Sequence, residues 1–312
     1  MIRRVGVEAE TGGCELMPDL PPWVDGWCRT ILGAEPVEAL FRSSYLSEVV
    51  GVRIADGREV VVKRRDDESG RAARCVTAQR LLAEEGFPCP IPLTDVIVSN
   101  GLAVHAERFV GGGELETGDT PMVAARSARL LADLVRRLAA LDLEPPLPNP
   151  EWVRWDATPE REPAAAVPAW IEDATRRVQA KLAGCDLLPV LGHADWEAQN
   201  IRWRNGEAHV VHDWDSLAWL PEAAIAGSAA GIFASHGQTT LAPLESSEAF
   251  LRAYENDRGT RFSPYETEIA WAASIWEALQ DARNELIHNR PKLSYGELKA
   301  QGVERLARAG LG

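Results

Sequence analysis

Apolar positions recur along this chain with two different periods, and the change from one to the other divides it near residue 110. Between about 45 and 64, YLSEVVGVRI and REVVVKR are β-branched runs on either side of Ala55-Asp56-Gly57, which predicts an antiparallel hairpin. LTDVIVS and LAVHAERFV repeat that pattern around Ser99-Asn100-Gly101 and run into Gly111-Gly112-Gly113. One helix interrupts the strands over about 69–85, closing at Gly86 with Pro88 and Pro90 just beyond. Upstream, Pro21-Pro22 followed by WVDGWCRTILG predicts a short amphipathic helix with Trp23, Trp27 and Ile31 on one side.

After the triple glycine the period becomes helical. TPMVAARSARLLADLVRRLAALD sets Leu130, Leu131, Leu134, Leu138 and Leu141 on one stripe, a buried helix, and LEPPLPNP breaks it. A second helix is expected over about 168–183 and a small strand–loop–strand region over 188–215. Mostly helical sequence follows, in which Ile269, Ala272, Ile275, Trp276 and Leu279 face inward. Strands with one helix, then helices around a small β insert, predict an α+β layout with a β-rich unit at 1–110 and a helical unit at 111–312.

Composition narrows the function. With 47 acidic against 33 basic side chains and a formal net charge of −14, the surface repels nucleic acid and anionic lipid and draws cationic small molecules. No run approaches the roughly 18 apolar residues of a membrane span, and MIRRVGVEAETGG has no apolar stretch behind its arginines, so a cytoplasmic location is expected. Five scattered cysteines without a C-x-x-C pair read as free thiols.

The chemistry is concentrated in VLGHADWEAQNIRWRNGEAHVVHDWDS, residues 190–216. His193-x-Asp195 is followed after four residues by Asn200, then by IRW, a turn at Asn205-Gly206, AHVV and Asp213-Trp214-Asp215. Phosphoryl transfer asks a protein mainly for positioning and charge neutralisation. One carboxylate must meet the attacking hydroxyl, while a second carboxylate and an amide oxygen hold a hard divalent cation on the phosphates. A loop followed by a hairpin can deliver these groups to one place.

This segment resembles the aminoglycoside phosphotransferase family and its choline-kinase-like relatives, with their H-G-D-x-x-x-x-N loop and hydrophobic-x-D-[FW]-[DE] element. The resemblance implies a protein-kinase-like bilobal fold and transfer of phosphate from ATP or GTP to an alcohol. It makes Asp195 the catalytic aspartate, Asn200 and Asp213 the Mg2+ ligands, and His193 a brace for the loop. In the same order, Lys63 at the end of Val60-Val61-Val62 matches the lysine that meets the phosphates. Gly86-Phe87-Pro88-Cys89-Pro90 resembles the family's G-x-P-x-P, and AVHAERFVGGG its adenine-binding strand, putting Glu107 to Val110, and Phe109 among them, beside the base. Asp142 stands where the family usually has histidine after its small-residue-Leu pair. The phosphate-covering loop, Phe41-Arg42-Ser43-Ser44-Tyr45-Leu46-Ser47, offers Ser43 and Ser44 in place of glycines. The helix after Lys63 has Cys75 where the family's glutamate stands, and Glu222 is the nearest carboxylate to the place of a bracing aspartate.

For the acceptor, Trp196, Glu197 and Asp215 adjoin the catalytic residues, and Trp203, Trp214 and Trp219 are near in sequence. Glu277, Asp281 and Glu285 recur at helical spacing, an acidic wall for a cationic alcohol such as an aminoglycoside. Antibiotic inactivation and metabolite phosphorylation (amino sugars, choline-like alcohols) are both compatible with these residues. Two other classes compete: a non-catalytic nucleotide-binding homologue, and a metal-dependent hydrolase built on His193, Asp195, His212 and Asp213.

Overall fold

The computed structural model describes residues 20–44, 47–155, 164–237 and 240–312. The segment read above for a leader, Cys14 and the tip of the Phe41–Ser47 turn lie outside them. The chain forms two compact units: Met1–Gly113 with Val210–His212, and Glu114–His209 with Asp213–Gly312.

In the first unit, α1 (Pro22–Trp27) continues as a π-helical turn over Cys28–Leu32 that Gly33 ends in a left-handed conformation. Next come β1 (Pro36–Ser44), β2 (Glu48–Ile54), β3 (Glu59–Asp66), α2 (Arg71–Glu84), β4 (Ile97–Ser99) and β5 (Leu102–Arg108). The strands form one antiparallel sheet in the order β1-β2-β3-β5-β4. Strand alternation sends Val50, Val52, Ile54, Val60, Val62, Val104 and Ala106 to one face, where Val24 and Cys28 complete the core. Each such aliphatic side chain contributes about 1.5–3 kcal/mol on burial. The other face carries Val61, Lys63, His105 and Glu107, all buried.

The Glu48 carboxylate joins α1 to the sheet: it accepts from the Trp23 indole (2.9 Å), Arg42 (2.8 Å) and Arg64 (2.6 Å). The Arg64 guanidinium also lies 4.3 Å over the Trp23 ring. At the start of α2, Gly70 is left-handed and Asp67 accepts from the N–H groups of Arg71 and Ala72 (3.0 and 2.8 Å), so the helix begins two residues later than its pattern predicts.

The second unit contains β6 (Glu114–Leu115), α3 (Pro121–Ala140), α4 (Ala169–Ala183), β7 (Pro189–His193), β8 (Ile201–Arg204), β9 (Glu207–Val211, its last two residues counted with the first unit) and β10 (Leu217–Pro221). It ends in α5 (Glu222–Ile232), α6 (Leu244–Arg258), α7 (Pro264–Ile287) and α8 (Leu293–Arg308). Thr120 and Pro121 start α3, and a Ser263/Glu266 capping box with Pro264 starts α7. Helix α5 is apolar almost all round and lies against α7. A Cβ at Gly227 or Gly231 would come within 2.0 Å of Ala270 O or 2.2 Å of Ser274 O, so only glycine permits this approach.

The inward face expected for α7 is buried, and in α3 Leu131, Leu134 and Leu138 are buried while Leu130 and Leu141 are only half-buried. Three features depart from the patterning. Ile31 is exposed, because the π-helical turn rotates Val24 and Cys28 inward instead. Strands β1 and β10 have no clean alternation of their own and are fixed by pairing with β2 and β7. Glu285 is not part of an acidic wall: it is buried and accepts from the N–H groups of Leu293, Ser294 and Tyr295 (3.1, 2.9 and 3.0 Å), capping α8.

Candidate active site

The loop after β7 is assembled by pairing of distant strands. β7 and β10 are antiparallel with His193 opposite Leu217, and Ala194 N–H donates to Ser216 O (2.8 Å). Asp195, just past the end of β7, and Asp213, four residues before the start of β10, therefore lie at the same end of this ribbon. Asn200 clamps the loop: its Nδ2 donates to Asp195 O and to Asp195 Oδ2, both at 2.9 Å. This turns the Asn200 Oδ1 away from Asp195. Glu197 N–H donates to Asp195 O (3.0 Å) and Asn200 N–H to Glu197 O (3.0 Å), closing a 3-10 turn.

His193 is fully buried, its ring edge-on to Trp196 (5.5 Å) and Trp214 (6.1 Å). Its Nδ1 accepts from Asp195 N–H (3.3 Å), which puts the ring proton on Nε2. A ring so engaged is a brace and does not offer itself as a metal ligand, which removes the hydrolase arrangement. Asp213 has left-handed backbone (φ 62°, ψ 50°), a conformation that aspartate tolerates better than most residues. Ser216 secures it, donating its hydroxyl to Asp213 Oδ2 and its N–H to Asp213 O, both at 3.0 Å. Asn200 and Asp213 offer an amide oxygen and a carboxylate, hard-oxygen donors of the kind that could hold Mg2+.

Two acceptor candidates are corrected here. Trp196 is 1% exposed and its indole N–H donates to Ser127 Oγ (2.9 Å), so it packs the loop onto α3. Glu197 is wholly buried and takes the Gln199 amide. Trp203 and Trp214 are buried likewise, whereas Asp215, Glu277 and Asp281 remain half-buried. Glu222 does not brace the loop; it accepts from the Tyr254 hydroxyl (2.9 Å) and pairs with Arg258 (3.0 Å).

In the first unit, Lys63 Nζ lies 2.9 Å from Glu107 Oε1. The two residues are 7% and 2% exposed. Glu107 Oε2 accepts from Gln79 Nε2 on α2 (2.9 Å), and the same Nε2 donates to Pro90 O (2.7 Å). Glu107 is thus the lysine's partner and does not turn its side chain toward a base. The N–H of Phe109 donates to Glu59 O (3.1 Å), and its ring tilts against Phe41 at 5.9 Å. Phe41 covers Gly51, where any Cβ would fall 2.3 Å from the ring. Ser43 and Ser44 close β1, opposite Val49 and Glu48. His105, directly opposite Lys63, is held neutral: burial first, then the charges of Lys63 and Arg65, push its pKa well below the usual histidine value. The nearby Cys89 thiol is pushed up to about 12 by burial and by Glu107.

Nothing in the sequence patterning pointed to Gln79 or Ser216. Gln79 lies one helical turn beyond Cys75, and Ser216 directly follows Asp215.

Residues 39–261 match the phosphotransferase enzyme family, APH. The chain belongs to that family. Members are small-molecule kinases that phosphorylate hydroxyl groups, and this chain is one of them by family and fold. Solved structures agree on the fold. An amicoumacin kinase with AMP-PNP and Ca2+ is similar at TM-score 0.59 and 12% identity, over 89% of each chain. An aminoglycoside phosphotransferase, APH(4)-Ia, with AMP-PNP and hygromycin B gives 0.57 and 15%, over 93% of this chain and 98% of that one. A fructosamine-3-kinase-like protein from Thermobifida fusca gives 0.54 and 17%, over 93% and 99%. No curated protein matches the sequence. Among the described residues of this family member, no helix is long and apolar enough to cross a membrane.

Proposed function

We propose that this phosphotransferase moves the terminal phosphoryl group of ATP or GTP to a hydroxyl of a small cationic molecule, an aminoglycoside-like antibiotic being the leading class. The observation that carries the reading is the Asp195 carboxylate, fixed by Asn200 at the end of the β7/β10 ribbon where Asp213 also stands. Asp195 orients the acceptor hydroxyl and takes its proton as the new P–O bond forms. Asn200 Oδ1 and Asp213 hold Mg2+, which when bound neutralises charge on the phosphates. Lys63 contributes its ammonium to the donor phosphates, Ser43 and Ser44 their hydroxyls, and the Phe109–Val110 backbone meets the base. Asp215, Glu277 and Asp281 are the acidic groups that would receive a cationic acceptor.

Structures of the same fold support donor and acceptor class: their bound ligands include AMP-PNP, ADP, hygromycin B and spectinomycin. Nucleotide binding is assigned to residues 1–110 and acceptor binding to 111–312, in a cytoplasmic enzyme with a role in antibiotic resistance. A metabolite kinase acting on amino sugars or amino alcohols uses the same residues.

The test is nucleoside diphosphate release, ADP from Mg-ATP or GDP from Mg-GTP, across aminoglycosides, macrolides, peptide antibiotics, amino sugars and choline-like alcohols. Acceptor-dependent turnover that disappears in Asp195→Ala is expected. Turnover that survives Asp195→Ala at the wild-type rate would remove the mechanism.

A further inference from the structure

The Lys63 site departs from the arrangement its sequence resemblance implies, in which a glutamate on the following helix holds the lysine. Cys75 occupies that place in α2, and Glu84 and Glu85 lie at the helix end. The carboxylate comes instead from β5. Lys63 and Glu107 are diagonal neighbours on adjacent antiparallel strands, Lys63 opposite His105 and Val61 opposite Glu107. The sheet register alone therefore brings them together. Helix α2 contributes only a neutral group: Gln79 directs both Nε2 hydrogens at acceptors, Pro90 O and Glu107 Oε2. With its Nε2 committed to both acceptors, the side chain has one orientation and fixes that of the carboxylate.

The surroundings make Glu107 the counter-charge. His105 faces Lys63 from β5 without a positive charge, Cys89 beside Glu107 stays a thiol, and Arg65, two residues beyond Lys63 on β3, is also a cation. A buried ammonium left without its carboxylate is strongly destabilised. Of the three ammonium donors, Glu107 takes one and leaves two for phosphate oxygens.

We infer that Glu107, oriented by Gln79, is the positioning residue for the nucleotide-binding lysine, so that the ion pair is set by strand register and not by the position of α2. In a kinase-like fold whose ion pair bridges strand and helix, moving the helix breaks the pair and switches the site. Here such a movement would break a hydrogen bond from an uncharged amide and leave the ion pair standing. This rests on the nucleotide-binding role given to Lys63 above.

Titration of the full chain with Mg-ATP and Mg-GTP, alongside steady-state KM for donor and acceptor, tests it. Glu107→Gln is expected to raise the nucleotide Kd about tenfold or more, with acceptor KM unchanged. Adding Gln79→Glu to Glu107→Gln moves the carboxylate onto the helix and is expected to restore Kd to within about threefold of wild type. A purely packing role for Glu107 would give no such rescue. Glu107→Gln that folds and binds nucleotide as wild type does, or a double variant no better than the single one, would overturn the inference. Should Glu107→Gln fail to fold, Gln79→Leu is expected to raise the nucleotide Kd severalfold, and an unchanged Kd would overturn it. A wild-type chain that binds neither nucleotide would overturn the functional reading and this inference together, which separates that failure from one confined to Glu107.

Discussion

The two charged sites of this kinase are built in opposite ways. Lys63 is neutralised by a carboxylate from another strand, and that carboxylate is oriented by a glutamine from a helix, so three elements converge on one buried pair. Asp195 is held within its own loop, by the amide of Asn200 and by its own N–H on the His193 ring. The first design compensates a charge, whereas the second aims a carboxylate using neutral donors. A charge placed by strand register is fixed by the sheet as a whole, whereas one placed by its own loop depends on a few local hydrogen bonds.

The largest effect that would sharpen this contrast is on turnover. Asp195→Asn preserves shape and removes the proton acceptor; a loss of about a thousandfold in kcat is expected, with nucleotide Kd unchanged in a binding titration. Asp213→Ala should act earlier. Mg-nucleotide affinity is expected to fall about tenfold or more, seen as a Kd that no longer responds to added Mg2+. A kcat defect with undiminished metal dependence would argue against its assignment.

A third prediction concerns pH. His105 is depressed in the folded state, so the unfolded chain binds more protons below its ordinary pKa of about 6.5. Its contribution is intact above that pH and is lost on acidification, by up to about 1.4 kcal/mol per pH unit. Urea unfolding at successive pH values should show wild type losing stability below about 6.5 faster than His105→Leu. Parallel curves would mean that His105 is not kept neutral. The smallest effect expected is at Cys89. With its pKa raised to about 12, alkylation of the folded protein should be slow, and Glu107→Gln should accelerate it by about threefold at most, since burial is the larger cause. Equal rates would assign the whole shift to burial.

Legibility from sequence followed the same division. His193, Asp195, Asn200 and Asp213 fall in one short segment with fixed spacing, so they could be picked out as candidates before any fold was known. Their immediate supports were less so. Ser216 and the edge-on tryptophans depend on β10, which the alternation did not reveal, and Trp196 and Glu197 sit inside the loop where adjacency had suggested an acceptor wall. The lysine was found by its place at the end of a β-branched run, but its partner was sought on the helix because spacing along a helix can be counted. A partner across a sheet depends on register, which is set by the pairing of whole strands. In the series Glu277, Asp281 and Glu285 the third member was misplaced in the same manner: it caps a helix eight residues further on.

By itself the sequence determined the hairpins, the buried stripes of α3 and α7, the fold class and the family. All of these follow from local periodicity and local spacing. Only the tertiary structure decided that Glu107 and not a helix residue neutralises Lys63, that Glu285 is a cap, and that Gly227 and Gly231 let α5 lie against the backbone of α7. The physical reason is that charge compensation, capping and close approach are satisfied by whichever group arrives within about 3 Å. Arrival at that distance is fixed by the packing of the whole chain.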